Sequence, residues 1–96
     1  MSYVALVIYD IKDNRLRFEI ANFLRQVGLS RIQKSAFAGP IKPSLRSEIE
    51  AGIRRIVKEW DNYNIQVYVM TSATYSNRTV ISSGYIIEDD DKNLLI

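Results

Sequence analysis

Tyr3-Val4-Ala5-Leu6-Val7-Ile8, followed directly by Tyr9-Asp10, decides the fold of this chain. Branched and small apolar residues fill the run without polar alternation, which predicts a strand buried on both faces. Asp10 falls where that strand surfaces at its carboxyl end, the place where open sheets hold ligands and metals. The plainer reading of Asp10 is that it opens the Asp13-Asn14 turn ahead of a helix.

Leu16, Ile20, Phe23, Leu24 and Val27 follow at i, i+4, i+7, i+8 and i+11, a single helical stripe. Asp13 or Asn14 can cap its start, and Gly28 stands just past its last periodic residue. Arg15 and Arg17 then occupy the first turn, where the helix dipole disfavours a cation by roughly 0.3–1 kcal/mol at an exposed site. A second stripe gives a comparison within the same chain. Leu45, Ile49, Ile53, Ile56, Val57 and Trp60 are in register after Pro43-Ser44, with Glu48 and Glu50 early and Arg54, Arg55 and Lys58 late. Glu50 and Arg54 also stand at the favourable i, i+4 spacing. One helix obeys the dipole rule and the other breaks it. Free backbone N–H groups and two guanidinium groups at a helix start suit a phosphate, and a divalent cation would join that phosphate to Asp10. Plain solvation of the two arginines is the competing reading.

Composition narrows the chemistry. Of 96 residues, 47% are hydrophobic and 25% charged, in keeping with one globular domain spanning 1–96. No apolar run approaches the ~20 residues that cross a membrane, and no charged region precedes the first apolar stretch. A cytoplasmic address, with no membrane partner, is expected. There is no Cys and no His, so disulfides, thiolate sites, histidine-ligated zinc and histidine-based nucleophile pairs are excluded. The net charge of +2 hides an asymmetry: residues 1–60 hold eleven Lys and Arg against six Asp and Glu, and residues 61–96 hold two against five. A basic body suggests a polyanion partner, while the acidic run Glu88-Asp89-Asp90-Asp91 reads as a solvated tail.

Residues 31–41 carry an extended stretch, either one bent strand or two short ones, because Pro40 and Pro43 forbid helix before Ser44. Gly52 lies on or near the apolar face of the second helix, which points to close packing. Ile65, Val67 and Val69 alternate with Gln66, Tyr68 and Met70, a strand of period two. Thr71 to Thr79 reads as a loop, and Val80-Ile81 with Tyr85-Ile86-Ile87 as one or two closing strands. The order predicts an α+β, ferredoxin-like βαββαβ sandwich, two helices on one face of an antiparallel sheet, with an extra C-terminal strand. Two helices cover one face only, so the other calls for a second copy of the chain, a two-fold homodimer. The segment from about 80 to 96 would then pair with the partner subunit.

Val7-Ile8-Tyr9-Asp10-Ile11, Leu16-Arg17 and Arg31-Ile32-Gln33-Lys34-Ser35-Ala36-Phe37-Ala38-Gly39 together resemble the CRISPR-associated protein 2 family. The resemblance covers most of residues 1–60, and beyond residue 70 it is one of pattern. It implies a ferredoxin-like dimer whose two first-strand aspartates face each other, with magnesium- or manganese-dependent endonuclease chemistry and Asp10 as the metal-binding carboxylate. Tyr9, Arg17, Arg31 and Phe37 fall on positions the family associates with activity or nucleic acid. The resemblance further implies a role in spacer acquisition beside the CRISPR integrase, with cleavage of single-stranded RNA or double-stranded DNA assigned to some members. Ala36 stands where Val is common in the family, and Lys34 is an extra charge.

Each of these residues has a plainer reading. Phe37 reads first as core, Arg31 as a shield for a sheet edge, and Tyr9 as packing with its hydroxyl satisfied. Ser35 has no partner base, which argues against a nucleophile. Three functions follow. In the first, Asp10 from each subunit holds an ion that activates water, and Arg17 with Arg31 neutralises phosphate oxygens. In the second, a dimeric scaffold uses Lys12, Arg15, Arg17, Arg31, Lys34, Lys42 and Arg46 to track a nucleic-acid backbone while the integrase does the chemistry. The third is a small-molecule-binding regulatory domain of the same fold.

Overall fold

In the computed structural model, which describes residues 1–87, the long apolar run is the strand β1 (Tyr3–Ile11). The helix α1 (Asn14–Gln26), strands β2 (Ser30–Gln33) and β3 (Ala36–Ile41), helix α2 (Leu45–Val57), strand β4 (Tyr63–Thr71) and a short helix α3 (Ser72–Ser76) follow. The four strands form one antiparallel sheet in the order β2-β3-β1-β4. This is the ferredoxin-like arrangement, with β1 central between β3 and β4.

Period-two alternation divides β1 between two environments. Ala5, Val7, Tyr9 and Ile11 enter a core with Leu16, Ile20 and Leu24 of α1 and Ile49, Ile53 and Val57 of α2. Ile65, Val67 and Val69 of β4 pack on the same side. Val4, Leu6, Ile8 and Asp10 point to the other face, where Met70, Tyr68, Gln66 and Asn64 stand opposite them on β4. Leu6 and Ile8 are only half-buried, and Tyr68 is 46% exposed. Within one chain, then, the strand is buried on one face and open on the other, because both long helices lie on the same side.

Local chemistry ends the helices. Asp13, extended at φ −83° and ψ 132°, caps α1 by accepting from the backbone N–H groups of Arg15 (2.8 Å) and Leu16 (3.1 Å). Gly28 at φ 99° closes α1: its N–H donates to Arg25 O, and Leu29 N–H to Leu24 O. That pair of bonds needs a left-handed residue, which glycine supplies without strain. Gly52 is where the helices meet. A Cβ there would lie 2.1 Å from Phe23 Cζ, so the close packing predicted for it holds. Glu50 takes Arg46 as its partner (Nε to Oε2, 2.9 Å), one turn earlier, in place of the Arg54 pairing that the spacing suggested. Trp60 lies beyond α2, its N–H donating to Val57 O.

Residues 31–41 make two strands joined at Lys34-Ser35. The expected loop from Thr71 begins instead with α3, capped by Thr71 Oγ1 accepting from Thr74 N–H at 3.1 Å. The expected extra C-terminal strand is not formed among the described residues. A strand exists only against a neighbour's backbone, and among the described residues none pairs with 80–87, where Val80, Ile81 and Ile86 are 70%, 92% and 80% exposed. The run Glu88 to Asp91 lies outside the described residues. Among the described residues no helix is long and apolar enough to cross a membrane.

Candidate nucleic-acid and metal site

Neighbouring residues on β1 face opposite ways, and this splits the candidate residues into two groups. Tyr9 is 6% exposed and Phe37 fully buried, both on the helix-covered face. Their rings lie 6.3 Å apart and 23° from parallel. The Arg31 guanidinium lies 4.9 Å from the Phe37 centroid, as expected of a residue directly opposite Phe37 in the β2–β3 register. Arg25, in the last turn of α1, approaches the same ring at 5.5 Å. Sequence reading missed Arg25; its place at the α1 C-terminus, where a cation is favoured, had an ordinary explanation. Arg31 also donates through Nη1 to the carbonyl of Lys34, which closes the hairpin. Phe37 is thus a core residue, its ring flanked by guanidinium groups.

Asp10 belongs to the other group. It is exposed at the end of β1, on the open face, opposite Asn64. Asp10, Lys12, Asn62 and Tyr63 line a hollow of about 220 Å³. Asn62 adopts φ 59°, a left-handed turn that Asn tolerates, and this aims the chain into β4 so that Asn64 meets Asp10. The Asp61-Asn62 dipeptide was the available signal for these neighbours. Asn64 Oδ1 accepts from Gln66 Nε2 at 3.2 Å, and Tyr68 Oη donates to Gln66 Oε1. A short polar row therefore runs along β4 beside the half-buried Leu6 and Ile8.

The basic residues do not form one patch. Lys12 and Arg15 are exposed beyond the end of β1, and exposed Lys34 sits at the β2–β3 turn next to Ser35, whose carbonyl accepts from Tyr9 N–H at 2.9 Å. These three share the Asp10 end of the sheet. Lys42 follows Ile41, which pairs with Tyr3, so it lies about 23 Å from Asp10 along β1. Arg46, near Lys42, has its charge matched by Glu50. Arg17 is half-buried, and its Nη1 donates to the carbonyls of Ile11 (2.8 Å) and Lys12 (2.9 Å). The free N–H groups expected at this helix start are taken in part by the Asp13 carboxylate, so the α1 N-terminus is not an open anion site.

For a hard cation the donor set is lean. Among the described residues no three His, Cys, Asp or Glu side chains cluster, and Asp10 is the one carboxylate lining its hollow. Magnesium keeps several waters and needs only one or two carboxylates, so Asp10 fits such an ion when a second copy contributes another.

A family model described as CRISPR associated protein Cas2 matches residues 1–78. A relative from Chloroflexus aurantiacus named CRISPR-associated endoribonuclease Cas2 2 is 39% identical over 80 residues, covering 83% of this chain and 93% of that one. A Thermoproteus tenax protein named CRISPR-associated endonuclease Cas1/endonuclease Cas2 fusion is 42% identical over 53 residues, 55% of this chain and 20% of its own length. Among solved structures, a chain of a partial Cas6-RT-Cas1–Cas2 complex superposes with a TM-score of 0.67 at 26% identity, covering 84% of this chain and 91% of that one.

Proposed function

The chain belongs to the CRISPR-associated protein Cas2 family, and from that footing we propose that it is a homodimeric, nucleic-acid-binding component of CRISPR spacer acquisition, acting beside a Cas1 integrase. One observation carries this reading. The helix-free face presents half-buried Leu6 and Ile8 with an exposed carboxylate, Asp10, at its edge. An open sheet face of this composition calls for a cover, and a two-fold copy supplies one while bringing a second Asp10 to the same surface. The Thermoproteus fusion and the Cas1–Cas2 assembly support an integrase as partner. Tyr85-Ile86-Ile87 would add to the partner's sheet, whose outer β4 edge has no neighbour among the described residues.

Lys12, Arg15 and Lys34 at the Asp10 end, and Lys42 at the other, would meet phosphates without reading bases. That suits a protein accepting unrelated sequences. Cleavage of RNA or DNA is the conditional part of the proposal. Paired Asp10 carboxylates would hold magnesium or manganese, which when bound lowers the pKa of a water and offsets charge at the phosphate. Asp10 keeps that carboxylate pair in reach of solvent, and Lys12, lining the same hollow, would steady the phosphate. A scaffold without catalysis is the second reading, favoured by the single carboxylate each chain contributes.

Side-by-side cleavage and binding by wild type and Asp10→Asn, with magnesium and with a chelator, separates the two. The nuclease reading expects cleavage to vanish in the variant and the chelator while duplex binding persists or strengthens, two negative charges being gone. Cleavage surviving both treatments would overturn it. Spacer acquisition that survives Asp10→Asn assigns the biological role to the scaffold.

A further inference from the structure

Up to Tyr9, β1 is an inner strand; after it, β1 has a neighbour on one side only. Tyr9 N–H reaches Ser35 O at 2.9 Å, and β3 begins at Ala36, so no strand from the hairpin lies beside Ile11 or Lys12. Backbone groups of successive strand residues point to alternate neighbours. Tyr9 points toward the hairpin, so Ile11 does too, and its carbonyl has no strand to bond.

Arg17 fills that gap. Its Nη1 donates to Ile11 O at 2.8 Å and to Lys12 O at 2.9 Å, while its own backbone N–H bonds Asp13 O at 3.1 Å. Asp13 in turn caps α1. The chain from Ile11 to Arg17 is therefore a closed loop tied at three points, directly after Asp10, which is in register with Asn64 on β4. This also accounts for a cation in the first turn of α1. Its charge is answered by two carbonyl dipoles, a partner that only the strand's end supplies.

We propose that Arg17 is a positioning residue for Asp10: its guanidinium replaces the missing strand beside Ile11, holds the Lys12 carbonyl just past the strand's end, and thereby sets the direction in which the Asp10 carboxylate leaves the sheet. The inference rests on Asp10 being the carboxylate of the site. Both bonds leave the single Nη1, whose two N–H groups are fixed in the guanidinium plane, whereas a lysine ammonium turns freely at the end of a flexible stem. Arg17→Lys therefore keeps the charge and loses most of the strut; Arg17→Ala loses both.

The test uses the full chain, with far-UV circular dichroism to establish that each variant is folded. Amide exchange at Asp10 to Asp13 should quicken by about tenfold in Arg17→Ala and by less in Arg17→Lys, with Val4 to Ile8 as protected as before. The salt slope of duplex binding should stay within about half a unit of wild type in both. Turnover should fall about tenfold or more in Arg17→Ala at nearly unchanged KM, with partial recovery in Arg17→Lys. A slope reduced by about one unit in Arg17→Ala and restored in Arg17→Lys, with exchange unchanged, would make Arg17 a phosphate ligand and overturn the proposal. Should wild type cleave nothing, the nuclease reading fails, and the exchange and slope measurements still decide the role of Arg17.

Discussion

Tyr9 and Asp10 are neighbours in sequence and opposites in circumstance. Tyr9 is 6% exposed beneath the helices and stacked on Phe37, while Asp10 is exposed on the bare face at the end of the same strand. One face of the sheet is covered by the chain's own helices and the other is left open among the described residues. A family-linked residue on the covered face acts through the fold. One on the bare face can touch what binds.

Phe37→Ala should give the largest effect. Removing a fully buried ring that supports Tyr9 and two guanidinium groups should destabilise the chain by about 3–5 kcal/mol in denaturant unfolding. Any loss of binding should then track the unfolded fraction. Asp10→Asn should change the unfolding free energy by no more than about 0.5 kcal/mol, since nothing in the chain's core depends on it. A Phe37 variant that stays stable but loses nucleic acid would break the division between the faces.

Gly52→Ala sharpens the comparison on the covered side. Its new methyl meets the Phe23 ring, so stability should fall by about 1–3 kcal/mol despite alanine's better helix propensity. On the bare side, Leu6→Glu should leave the monomer folded, since Leu6 already faces outward, yet place like charges across the two-fold and abolish dimerisation in sedimentation. A dimer that withstands Leu6→Glu would move the interface elsewhere. Asp13→Ala is a milder change than Gly52→Ala, expected to cost about 1 kcal/mol through the lost cap, with no loss of duplex affinity.

Much of this division could be read from residue order. The apolar run, the α1 stripe with Asp13 and Gly28 at its ends, and the alternation of Ile65, Val67 and Val69 each have one local solution, so β1, α1 and β4 were legible. The partners of Arg17 were not. They are backbone carbonyls left over because β3 starts at Ala36, a fact of strand register and not of composition. Asn64 came to face Asp10 for the same reason. Tyr85-Ile86-Ile87 has the residues of a strand, but pairing needs a second backbone, and none lies against it among the described residues.

The central claim is that the bare face works as a shared surface on which two Asp10 carboxylates meet. Manganese titration of the wild-type protein, followed by calorimetry or by the spectrum of free ion, tests it most directly. Uptake of about one ion for every two chains is expected, lost in Asp10→Asn while the dimer persists. Uptake of one ion per chain, no uptake at all, or a site that survives Asp10→Asn would contradict it.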